Sequence, residues 1–110
     1  MQVVPTSNYE RRAKKLLSAS DRSAIELELV AGWDGWPVIP GTGGARKARI
    51  PVGNRGKRGG GRVIYFVPTA QGTLYLLDIY AKGQKEDLTN ADKQAIRSFI
   101  EEIEQATGEG

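Results

Sequence analysis

Lys47 and Arg49 stand two residues apart in a strand-like run, Arg62 opens the next such run, and Tyr80 and Lys82 close a third. Residues at i and i+2 of a strand share a face, so Lys47 and Arg49 point the same way and Arg62 joins them from a neighbouring strand. Cations gathered on one sheet face cost stability unless a partner neutralises them. A phosphate-bearing polyanion is such a partner, because each neutralised phosphate releases condensed counterions. The chain contains no histidine and no cysteine. That removes imidazole bases, thiol nucleophiles, disulfides and the usual zinc ligands, and no metal or other cofactor is expected. Proton transfer then falls to Lys, Arg and Tyr. Arginine stays protonated and can only donate or stabilise charge, whereas an ammonium among like charges gives up its proton more readily and can serve as a base. RNA carries its own nucleophile, the 2′-hydroxyl, so such a set has mainly to position it and to stabilise charge developing on the phosphate. Tyr80 also reads as an ordinary packed sheet aromatic.

The charge distribution supports the same chemistry. The 110 residues carry a formal charge of only +3, with a sequence pI near 9.3, but the charges are segregated. Residues 35–77 hold Arg46, Lys47, Arg49, Arg55, Lys57, Arg58 and Arg62 and no carboxylate, while residues 86–110 are strongly acidic. A long stretch that excludes acids is the footprint of a polyanion-binding surface; a solvated basic loop is the competing reading. The run Gly53–Gly61 is Gly-rich and basic, yet it is not a nucleotide P-loop. Its Gly56-Lys57 pair is followed by Arg58 and then by a strand, not by Ser or Thr at a helix start. Arg55, Lys57 and Arg58 of this loop, with Arg46 and Lys85, are the positions expected to contact RNA or the ribosome.

The elements that must position these residues follow from periodicity. Tyr9, Ala13, Leu16 and Leu17 make one stripe of a helix over 7–19, capped by Thr6 or Ser7. A second helix is predicted from a cap at Ser20 or Asp21 through Ala31, although Ile25-Glu26-Leu27-Glu28-Leu29 alternates like a strand. Residues 32–44, rich in Gly and Pro, read as a packed connection anchored by Trp33, Trp36, Val38 and Ile39. Strands are predicted at Arg46–Val52, Arg62–Pro68 and Thr73–Ala81, forming an antiparallel meander, with Met1–Val4 as an added edge strand. A closing helix starts at the capping box Thr89-Asn90-Ala91-Asp92. It buries Leu88, Ala91, Ala95, Ile96, Phe99, Ile100 and Ile103 along one face and ends near Thr107. The expected class is α+β, with two N-terminal helices, a twisted antiparallel sheet of three or four strands and a C-terminal helix, in a single domain spanning 1–110. With no apolar run approaching a membrane span, the chain is expected to be soluble and cytoplasmic, with no membrane partner.

Three runs, Val38-Ile39-Pro40-Gly41-Thr42-Gly43-Gly44-Ala45-Arg46-Lys47-Ala48-Arg49, Gly60-Gly61-Arg62-Val63-Ile64-Tyr65 and Tyr80-Ala81-Lys82-Gly83-Gln84-Lys85-Glu86-Asp87-Leu88-Thr89, resemble in order and spacing the HigB-like branch of the RelE/ParE toxin superfamily. The match covers 38–105; over the N-terminal third it rests on the order of elements. The resemblance implies a RelE-like fold and a toxin of a type II toxin–antitoxin pair. Such a toxin enters the ribosomal A site and cleaves mRNA without metal by attack of the 2′-oxygen, leaving a cyclic phosphate and a 5′-hydroxyl. By position, Lys47 matches the first basic residue of the family's Lys-x-Lys strand and Arg62 the arginine that steadies the transition state. Arg49 fills the second lysine position, so the base is either Lys47 or supplied by the ribosome. Lys82, or alternatively Lys85, falls at the residue that protonates the leaving group. The family's late tyrosine has no counterpart near Leu88-Thr89, and Tyr80 is the substitute for stacking on a base. The implied partners are mRNA on the ribosome, with contacts to ribosomal RNA, and a helix-turn-helix antitoxin of the HigA/Xre type, through which alone the pair meets operator DNA. The alternatives are a ParE-like DNA gyrase inhibitor without hydrolysis and a basic RNA-binding module without catalysis.

Overall fold

The computed structural model describes residues 1–52, 60–68, 72–85 and 87–107. Its elements run β1 (Gln2–Pro5), α1 (Ser7–Leu16), α2 (Ala19–Ala31), β2 (Arg46–Ile50), β3 (Gly61–Phe66), β4 (Thr73–Ala81) and α3 (Asn90–Thr107). One four-stranded sheet has the order β1-β4-β3-β2. The meander β2-β3-β4 is antiparallel as predicted, but β1 joins β4 parallel, so the sheet is mixed. The crossover that parallel pairing requires is supplied by the chain from α1 through β3.

Local sequence accounts for each boundary. Thr6 caps α1, its hydroxyl accepting the Tyr9 N–H at 3.2 Å. α1 stops at Leu16 because Ser18 begins the next helix. Ser18, not Ser20 or Asp21, is the cap, and Asp21 is its capping-box partner. The alternating stretch in α2 is helical after all. Ile25 and Leu29, four apart, are buried, while Leu27 between them is 74% exposed. β2 ends at Ile50, before Pro51, which has no N–H to give a ladder. β3 begins at Gly61, one residue before Arg62, and a Cβ there would run into the Val52 side chain. At α3, Thr89 and Asp92 cap each other's backbone N–H at 2.9 and 3.1 Å, as the capping box predicts.

The sheet is covered on both sides. Tyr9 and Ala13 of α1 and Ile25 and Leu29 of α2 pack on Ala48, Ile50, Val63, Tyr65, Leu74, Leu76 and Ile79. On the other face Ile96, Ile100 and Ile103 of α3 pack on Ile64, Phe66, Leu77 and Tyr80. β3 thus sends Val63 and Tyr65 one way and Ile64 and Phe66 the other, as its continuous apolar run predicts. Two predicted core positions of α3, Ala91 and Ala95, are exposed, and Val38 is 48% exposed rather than an anchor. Between Ile64 and Tyr65 the register slips, skipping Leu77, so Leu77 is bulged out of the ladder. Its carbonyl accepts from Asn8 Nδ2 at 3.1 Å and Thr6 Oγ1 at 3.3 Å, which ties the start of α1 to β4.

Candidate functional site

β2 is an edge strand, and the segment before it is built to hold it in register. Thr42 is buried, donates its hydroxyl to the Ile39 carbonyl at 2.7 Å and accepts the Ala45 N–H at 3.1 Å. Gly43 and Gly44 adopt φ of +85° and +124°, values that side chains disfavour, and a Cβ on Gly44 would press on the Phe66 ring at 3.2 Å. The Thr-Gly-Gly run is therefore a fixed corner. It delivers the chain into β2 with Lys47 and Arg49 on the α3 side of the sheet.

Register completes the cluster. Arg49 stands directly opposite Arg62, and Arg62 directly opposite Tyr80, so three strands contribute one row. Lys47, Arg49 and Arg62 line a cleft of about 200 Å³ together with Trp36 and Pro37. The cations that the sequence places on one face are brought together here. Lys47 Nζ meets the Asp87 carboxylate at 3.3 Å. The Leu88 N–H bonds the same carboxylate at 2.8 Å, and that bond and the Lys47 ammonium hold the Asp87 carboxyl below its usual range. Arg62 donates to the Gly61 carbonyl at 3.0 Å, and Arg49 is exposed.

The remaining expected site residues that are described do not line this cleft. Tyr80 shares the row but is only 2% exposed, and its hydroxyl is buried without a hydrogen-bond partner among the described residues. Burial pushes up its ionisation. The Lys85 ammonium lies 5.5 Å from its ring centroid. In this arrangement the ring packs in the core and is not presented to a base. Lys85 is itself bonded to Asp92 at 2.9 Å, which holds the Asp92 carboxyl below its usual range; it braces the turn into α3 rather than facing the cleft. Lys82 is exposed at the end of β4, its backbone N–H bonded to Gly60 at 2.9 Å. Arg46 faces the opposite side of the sheet from Lys47, because neighbours in a strand alternate. Its guanidinium donates to the carbonyls of Trp36 at 2.6 Å and Asp34 at 3.3 Å. Arg55, Lys57 and Arg58 lie outside the described residues.

Sequence reasoning missed Asp87 and Trp36 as members of the cluster. Asp87 stands 40 positions from Lys47 and carries no signal of its own; Trp36 reads only as an apolar anchor. A roomier cleft of about 430 Å³ between the starts of α1 and α3, lined by Asn8, Arg12, Asp78 and Phe99 among others, does not include the cationic trio. In it Arg12 pairs at 3.3 Å with Asp78, whose carboxyl is raised by burial despite that partner. Among the described residues there is no group of carboxylates able to hold a metal ion and no helix long and apolar enough to cross a membrane. The trio can grip a tetrahedral phosphate and stabilise added negative charge on it.

Helices on both faces of this short mixed sheet define an α+β fold of the RelE type. The solved free-state structure of the E. coli toxin RelE, in a form with two arginine-to-alanine substitutions, is similar to this chain with a TM-score of 0.55 at 13% sequence identity. The match covers 77% of this chain and 86% of that one. No family model matches the chain.

Proposed function

We propose that this protein is the toxin of a type II toxin–antitoxin pair, of the HigB-like branch, and that it cleaves mRNA in the ribosomal A site. The observation that carries the reading is the convergence of Lys47, Arg49 and Arg62 on one cleft at the edge of a RelE-like sheet. In the proposed reaction the 2′-oxygen loses its proton to Lys47, which must act as the neutral amine released from Asp87, or to a group of the ribosome, and attacks the adjacent phosphorus. Arg62 and Arg49 stabilise the charge on the phosphoryl oxygens. The bond to the 5′-oxygen breaks, and that oxygen takes a proton from Lys82, leaving a 2′,3′-cyclic phosphate and a 5′-hydroxyl. Tyr80 keeps a packing role, and Lys85 supports the turn that carries Lys82. A helix-turn-helix antitoxin of the HigA/Xre type would neutralise the basic edge and bring the pair to operator DNA, with the toxin acting in the cytoplasm.

Mapping new 5′ ends on mRNA in a reconstituted translation reaction tests this. Cleavage within codons is expected only with translating ribosomes, and Arg62→Ala is expected to lower it about 100-fold or more while the protein stays folded. Intact mRNA together with blocked DNA gyrase supercoiling would replace the reading with ParE-like inhibition. Ribosome binding without cleavage would leave a basic RNA-binding module.

A further inference from the structure

Trp36 lines the same cleft as the three cations, and its place there is fixed from two sides. Its carbonyl receives the Arg46 guanidinium at 2.6 Å, and the next carbonyl, that of Pro37, receives the Lys47 backbone N–H at 3.1 Å. Val38 then bridges to Arg46, so the segment rides along the outer edge of β2. The strand that presents the Lys47 ammonium therefore also sets the backbone from which the indole projects. Trp36 is half-buried, packed on one side against the core beneath α1 and α2 and lining the cleft on the other.

An aromatic surface held beside a phosphate-gripping cluster has a definite chemical use. Every nucleobase has a π-face, and stacking on an aromatic side chain adds affinity largely independent of sequence. A ring half-buried against the core on a hydrogen-bonded backbone loses less entropy than a free side chain when a base settles on it. The cations have no means of distinguishing a nucleotide chain from inorganic phosphate or a phosphate-bearing surface; the indole has.

We propose that Trp36 is the nucleobase platform of this site, stacking the base next to the phosphate held by Lys47, Arg49 and Arg62. This rests on the reading of the cleft as an RNA site. Arg46, although on the other side of the sheet, is then a positioning residue, holding the platform through the Trp36 carbonyl.

The test uses the full chain at low ionic strength, with Trp33→Phe leaving Trp36 as the sole tryptophan. The probes are a short oligoribonucleotide, an abasic oligomer of the same length, and inorganic phosphate. The oligoribonucleotide is expected to quench Trp36 emission and to bind more tightly than the abasic chain. Trp36→Leu is expected to weaken the oligoribonucleotide about 5- to 100-fold and to leave the abasic chain unchanged; Trp36→Phe, which keeps a ring and the packing, should recover most of the loss. Equal binding of the two oligomers, or equal weakening of both by Trp36→Leu and Trp36→Phe, would overturn the platform and leave the phosphate site standing. Failure of every probe to bind, with Arg49→Ala indistinguishable from the parent, would overturn the RNA reading and the platform with it.

Discussion

The two faces of the sheet are built on different terms. Beneath α1 and α2 the strands present Ala48, Ile50, Val63, Tyr65, Leu74, Leu76 and Ile79, and every one is at most 2% exposed. The opposite face starts the same way under α3, with Ile64, Phe66 and Leu77, but along the edge strand β2 and at the start of β3 it changes to Lys47, Arg49 and Arg62. One face is committed to burial and so to stability. The other gives up apolar area at one corner and sets two arginines directly opposite each other. The contrast puts the proposed site where packing stops.

The largest effect should come from the committed face. Leu76→Ala removes a fully buried side chain and is expected to cost about 2–5 kcal/mol in a denaturant titration. Arg49→Ala, across the sheet, should change stability by no more than about 1 kcal/mol, while weakening polyanion binding. A loss for Arg49→Ala comparable to that for Leu76→Ala would break the comparison, because the cationic corner would then be structural.

Much of this contrast is written in the sequence. The period-two run of β2 puts Lys47 and Arg49 together, the acid-free stretch marks the basic side, and the capping box at Thr89 starts α3. The parallel placement of β1 is not legible, since a four-residue strand carries no signal of its partner's direction. Nor is the bulge at Leu77, which places Leu77 and Asp78 consecutively outside simple alternation. Tyr80 shows the limit for single residues. Its register with Arg62 follows from the strands, but its depth depends on α3 and on Lys85 closing over the ring. Trp36 reaches the cleft, and Asp87 the Lys47 ammonium, only through tertiary structure.

The intermediate effect is a pH dependence, and it separates two carboxylates on the α3 side. Burial raises the pKa of Asp78 in the folded chain, the Arg12 guanidinium pulling it only partly back. The folded state then holds a proton that the unfolded chain has released, so stability falls as pH rises from the ordinary carboxylate range through the raised value. Asp87 has the opposite sign. Its lowered pKa contributes stability above the ordinary carboxylate range that is lost as pH falls through that range. Denaturation of the parent and of Asp78→Asn between about pH 4 and pH 7 should show the parent losing stability relative to the variant as pH rises. Parallel curves would mean that Asp78 is as easily ionised in the folded chain as in the unfolded one.

The smallest effect concerns the ion pair that Lys47 makes with Asp87. Asp87 occupies the ammonium that the proposed phosphate ligand would need, at 3.3 Å and on a carboxylate whose side chain is 66% exposed. Exposed pairs of this kind are worth about 0–1 kcal/mol, so the carboxylate is a weak competitor that a polyanion displaces. Asp87→Asn keeps an oxygen to accept the Leu88 N–H and removes only the charge. Polyanion affinity should rise about two- to fivefold at low salt, the gain shrinking as added salt screens the pair, with stability nearly unchanged. Titrations of parent and variant at two salt concentrations decide it. An affinity that falls on losing the charge would mean that Asp87 holds Lys47 in position for its ligand, and the cationic corner would then be organised from within as firmly as the face beneath α1 and α2.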